Sequence, residues 1–163
     1  VPITLDDIEP GLSDAEAAFR RGGQERETGL DVADGGLVQL RKACRSLSGA
    51  DRLLADGYYT LAIEAAFTAT EKTLLFWLIE DGYHDPSNPP QSHTTALKRS
   101  AEVGLVDEAL ATRLVDLWNE NRAQTYYRSG TATEERATAM LDLANRMHSR
   151  VVGMVGVSHE CVC

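Results

Sequence analysis

Apolar residues recur along this chain at helical spacing. Between residues 37 and 56, Leu37, Leu40, Cys44, Leu47, Leu53 and Leu54 form a stripe, with Arg41, Lys42, Arg45 and Arg52 between them. That is the period of an amphipathic helix with one basic face, and Gly57 closes it. Residues 58–80 differ in kind. Leu61, Ala62, Ala65, Ala66, Ala69, Phe76 and Ile79 line one side, while Ile63, Phe67, Leu74, Leu75 and Leu78 carry the apolar surface past half the circumference. A helix of that sort is buried on most faces, and its alanines let a neighbouring helix come close, within the subunit or across a dimer.

Breakers and caps divide the rest. Residues 1–12 hold Pro2, Pro10 and Gly11 and read as an extended arm; Ser13-Asp14-Ala15-Glu16 then opens a short helix that Gly22-Gly23 stops. Residues 81–90 are a loop, a short helix follows from Thr94 to Val103 and is ended by Gly104, and Asp107 caps a longer one carrying Leu110, Leu114, Leu117 and Trp118. After Ser129-Gly130, Thr131-Ala132-Thr133-Glu134 precedes a final helix with Ala137, Met140, Leu141, Ala144, Met147, Val151 and Val152 inward. No segment alternates as a strand does. The expected fold is all-α, an up-and-down bundle of four to five main helices over residues 37–152, with an N-terminal arm and short helix over 1–36 and a tail over 153–163.

Composition narrows the class. At 163 residues and 43% hydrophobic, the chain suits one core that buries roughly 70% of the unfolded surface. No apolar run approaches the roughly 18 residues of a membrane span, and the first residues are acidic where a secretory leader needs positive charge, so a cytoplasmic protein without a membrane partner is expected. The net charge is −9, and of the 16 basic residues only Lys42, Lys72 and Lys98 are lysines. Such a surface fits a salt-adapted (halophilic) proteome or an ordinary acidic protein, and either way nucleic acid would need a local cleft to bind. Cys44, Cys161 and Cys163 are odd in number, which argues against a disulfide framework. His159, Cys161 and Cys163 would make a soft metal tail, but zinc needs four ligands and C-x-C spacing is rarer than C-x-x-C. Neither metal nor cofactor is expected. Glu64 and Glu71 on the core helix lack the Glu-x-x-His pairs of a ferritin-like di-metal site.

The chemistry-bearing stretch is Trp118-Asn119-Glu120-Asn121-Arg122-Ala123-Gln124-Thr125-Tyr126-Tyr127. An Arg near a helix C-terminus suits the macrodipole, and tyrosines often cover a core edge. The amides and aromatics around Arg122 also suit phosphate and base contacts. On a continuous helix, Asn119, Arg122 and Tyr126 share a face, and Tyr127 joins them only if the chain breaks near Thr125.

Two segments resemble the HEPN family of helical nucleic-acid-processing and toxin proteins. Residues 51–74, from Asp51-Arg52-Leu53-Leu54 through Gly57-Tyr58-Tyr59 to Glu71-Lys72-Thr73-Leu74, are similar to its first long helix, Gly/Tyr turn and Ala-rich second helix. Ser92-His93-Thr94-Thr95-Ala96-Leu97 is similar to the His-x-Leu entry of its third helix. The resemblance implies a homodimer whose paired Arg…His motifs form a metal-independent endoribonuclease site. It maps the Arg onto Arg122 and puts Tyr127 where the His belongs, with Tyr126 beside it as a further catalytic candidate and Asn119, Asn121 and Arg128 as substrate-binding candidates. With a pKa near 10, a Tyr is a poor base, and a lost general base costs typically 10²- to 10⁴-fold. Two readings therefore stand: a dimeric, toxin–antitoxin or RNA-related protein with a degenerate ribonuclease-type site, or a non-catalytic HEPN-type module that binds a nucleotide or pairs with a nucleotidyltransferase partner. An unrelated helical adaptor is the third.

Overall fold

The computed structural model describes residues 4–21, 27–88, 90–126, 130–156 and 161–163, with backbone alone at 125 and 126. Every regular element among them is helical: α1 (Leu5–Arg21), α2 (Gly35–Ala55), α3 (Tyr59–Glu80), α4 (Thr95–Glu102), α5 (Glu108–Asn121) with a π-helical turn (Arg122–Tyr126), and α6 (Glu134–Val155). None is long and apolar enough to cross a membrane.

The chain divides into two units, residues 1–31 and 32–163. The first contains α1, which from Leu5 on overturns the extended arm expected over residues 1–12; residues 1–3 of that arm lie outside the described residues. Thr4 starts the helix instead: its backbone N–H and hydroxyl both donate to Asp7 Oδ2, at 2.7 and 2.8 Å. Asp6 and Asp7 then face the positive end of the macrodipole and Arg20 and Arg21 the negative end. These end effects outweigh Pro10 and Gly11, which sit inside the helix. Leu5, Ile8, Leu12 and Phe19 fall along one of its faces.

In the second unit the caps follow local chemistry. Asp34, Asp107 and Thr133 each accept from the backbone N–H of the third residue on, Leu37 at 2.6 Å, Leu110 at 2.6 Å and Arg136 at 3.2 Å. The N-cap of α6 is thus Thr133, two residues after the Thr131 that opens the sequence signature. At the end of α2, Gly57 takes φ +80°, and Tyr58 N–H reaches back to Leu53 O at 2.8 Å. This left-handed stop reverses the chain so tightly that α2 and α3 become neighbours.

α3 packs against α2, α4 and α6. Its C-terminal half, Leu74 to Leu78, joins Leu40, Leu97, Leu105, Val106, Leu114 and Val151 in one core cluster. Its N-terminal half builds a second from small residues: Ala62, Ala66 and Ala69 meet Ala50, Ala137 and Ala144, with Leu47, Phe67 and Met140 filling between. The three α3 alanines are fully buried in the single chain. Their close-approach role is exercised inside the subunit, between α3 and its neighbours α2 and α6. Each fully buried Leu in these clusters contributes about 1.5–3 kcal/mol relative to an exposed one.

Candidate functional site

α5 does not break near Thr125. It widens into the π-helical turn from Arg122 to Tyr126, a form that recurs at functional sites. Gly130 lies against that turn: a Cβ there would lie 2.5 Å from the Gln124 carbonyl oxygen, so glycine is what allows this close approach.

Two glutamates of α3 organise this end of the bundle. Glu64 Oε1 accepts from Asn121 Nδ2 at 3.1 Å, and its other oxygen lies 3.9 Å from the Arg122 guanidinium. Both side chains of that ion pair are half-buried, with Arg122 at 30% and Glu64 at 22% exposure. The guanidinium also lies over the Trp118 ring, 4.6 Å from its centroid. Two turns along α3, Glu71 holds His93 through Nδ1 at 3.0 Å. The His93 ring in turn leans on Trp118 at 5.3 Å, and Phe67 meets the same indole edge-on at 4.7 Å. Trp118 is therefore the hub on which both an Arg and a His rest.

Beside this lattice, a groove of about 350 Å³ runs between α3, α5 and α6. Ile63, Phe67, Leu117, Met140 and Leu143 form its apolar walls, and Glu120, Asn121, Gln124 and Arg136 its polar rim. Gln124 Nε2 donates to Glu120 Oε1 at 3.1 Å.

Of the residues singled out in the sequence, Arg122 and Asn121 meet on Glu64, while Asn119 is exposed on α5. Tyr126 belongs to the π-helical turn, with its side chain outside the described residues; Tyr127 and Arg128 lie outside them altogether. Glu64, Glu71 and His93 were not among the site candidates. The sequence held one signal, the seven-residue spacing of the two glutamates on a largely apolar helix. An acid on such a helix needs a cation or donor opposite it.

A second polar cluster lies where no site was expected. Cys44 of α2, His148 of α6, Cys161 and Cys163 bring their donor atoms within 4.8 Å of one another. Cys44 and Cys163 are joined as a disulfide, which corrects the expectation that the cysteines form none. Spacing gave no warning, because the partners are 119 residues apart and α3 to α6 lie between them. His148 Nε2 lies 3.2 Å from both Cys161 Sγ and Cys163 Sγ and 3.6 Å from Cys44 Sγ. Its Nδ1 meets the hydroxyl of Thr73, a fully buried residue, at 3.1 Å. Burial lowers the His148 pKa from its ordinary 6.5, because an apolar surrounding disfavours the charged ring. His159, considered for a metal tail, lies outside the described residues.

Comparison with known proteins returns no match among curated proteins and none among solved structures. One family model does match, over residues 3–163, and by that match the chain belongs to the family described as Domain of unknown function (DUF8154).

Proposed function

We propose that this chain is a HEPN-like helical module that binds a nucleotide or an RNA end in the groove beside Trp118 and acts without cleaving it. One observation carries the reading: Arg122, the residue the HEPN resemblance would make catalytic, lies against the Glu64 carboxylate and the Trp118 face, while the groove next to it is lined by other side chains. A guanidinium with a nearby carboxylate has part of its charge neutralised, which weakens its hold on a phosphate. The groove has the mixed lining that a base and its phosphate need. Its apolar walls suit a flat ring, the Asn121 and Gln124 amides suit a base edge, and Arg136 supplies a bidentate phosphate donor. In this reading the protein is salt-adapted and cytoplasmic, and its partner is a second copy or a nucleotidyltransferase of a toxin–antitoxin type pair.

Fluorescence polarisation with a short labelled single-stranded RNA, and separately with a mononucleotide, tests it. Arg136→Ala should weaken binding at least ~10-fold, the share of one good charge-assisted contact. Arg122→Ala should chiefly lower the unfolding midpoint. Equal affinity for the parent and Arg136→Ala would remove the groove from the account.

A second reading rests on one observation, that the Glu71–His93 pair and Arg122 share the Trp118 indole. His93 would then supply the imidazole that position 127 lacks, with Glu71 orienting it. Metal-independent RNA cleavage lost in His93→Ala and in Arg122→Ala would select this reading over the binding module.

A further inference from the structure

We propose that Cys44, His148, Cys161 and Cys163 form a structural zinc site that clamps residues 161–163 onto α2 and α6. Three sulfurs and one imidazole nitrogen within 4.8 Å make the Cys₃His donor set typical of closed, four-coordinate zinc. With Zn–S near 2.3 Å and Zn–N near 2.0–2.1 Å, the edges of such a tetrahedron are about 3.5–3.8 Å. The separations from His148 Nε2, 3.2 to 3.6 Å, already lie within a few tenths of an ångström of such an edge, the 3.1 Å between Cys44 Sγ and Cys161 Sγ must open by roughly 0.7 Å, and the bonded Cys44–Cys163 pair must part to about 3.8 Å, which needs that bond opened first.

A disulfide explains two of the four groups. It gives no reason for a third sulfur at van der Waals range or for an imidazole facing all three. Thr73 supplies the independent sign. With Nδ1 protonated and donating to the Thr73 hydroxyl, the Nε2 lone pair points at the sulfurs, the outer-shell arrangement that fixes a metal-bound histidine.

The disulfide and the metal exclude each other. Opening the Cys44–Cys163 bond takes two electrons and two protons, supplied by a dithiol reductant, and yields two thiols. Zinc then displaces three thiol protons into solvent and binds three thiolates and neutral His148, leaving a centre of net charge −1. Since all four positions are filled by protein, the ion has no open position for substrate and its role is to hold the fold.

The test uses the full chain, reduced with a dithiol, separated from reductant without oxygen and titrated with Co²⁺ and then Zn²⁺. We expect one Co²⁺ per chain with thiolate charge-transfer absorption and intense tetrahedral visible bands, both displaced by Zn²⁺. Cys161→Ser, at a partly exposed position outside the disulfide, should weaken zinc binding more than ~100-fold, beyond the usual effect of an outer-shell change. Thr73→Val, close in shape, should weaken it about 10- to 100-fold. Absence of metal from the reduced chain, or equal affinity in the parent and Cys161→Ser, would leave a disulfide with a bystander thiol and overturn the site. Loss of metal in Cys161→Ser with an unchanged far-ultraviolet circular dichroism spectrum would support it, since the variant is then folded.

Discussion

Single side chains along α3 show how a helix whose apolar surface runs past half its circumference still carries charge. Glu64 and Glu71 are matched by Asn121 and Arg122 and by His93, whereas Glu80 is placed against its own sign. Partial burial first, then the carboxylates of Asp34 and Asp81, raise the Glu80 pKa above its ordinary 4.5. A carboxyl raised in the folded state contributes stability that is fully present below its unfolded pKa and is lost as pH rises through the folded value. Glu80→Gln should therefore be more resistant to urea than the parent near pH 7, with the advantage disappearing near pH 4. The group is largely solvated, so the gain is small and is best read at low ionic strength. Equal midpoints at both pH values would show that the repulsion is fully screened.

In the second unit, α5 leans on its start, because its far end passes into the π-helical turn and only Ala111 and Leu114 of it are buried. Asp107→Ala removes the acceptor for Leu110 N–H and should lower stability by about 1 kcal/mol, while Asp107→Asn should retain most of it; urea unfolding measures both. Helix boundaries of this kind were legible in the sequence wherever a cap, a glycine stop and a periodic stripe agreed, as at Asp107, Gly57 and the apolar residues of α6. At α1 the breakers Pro10 and Gly11 pointed to an extended arm, whereas the fold starts a helix from the Thr4–Asp7 cap, which the sequence analysis did not identify. The candidate site was half legible. Arg122 stood out by its neighbours in the chain, and Trp118, one turn before it, is among them; its partner Glu64 lies on α3, and a pairing across a bundle leaves no local mark. For the same reason Cys44 and His148, far apart in sequence and each on an ordinary helical stripe, gave no sign of Cys161 and Cys163.

For the whole molecule, the net charge of −9 on 163 residues works against compactness when salt is low. Raising salt from roughly 0.01 M to 1 M shortens the screening length from about 30 Å to about 3 Å and should raise the thermal midpoint, followed by circular dichroism in chloride salts. A falling midpoint would mean that specific ion pairs outweigh the general repulsion.

The bond between Cys44 and Cys163 also makes most of the chain a closed circuit that contains α3, α4, α5 and α6. A protease that cuts once inside that circuit, for instance in the turn at residues 84–88, opens the ring without releasing a piece. The nicked oxidised protein should migrate as one species on a non-reducing denaturing gel and as two after reduction. Two species before reduction would mean that the ring was never closed. A circuit that survives a cut is also a tether: after denaturation, the two sides of the nick stay at high effective concentration and should reassemble at a rate independent of protein concentration, as an intact chain does.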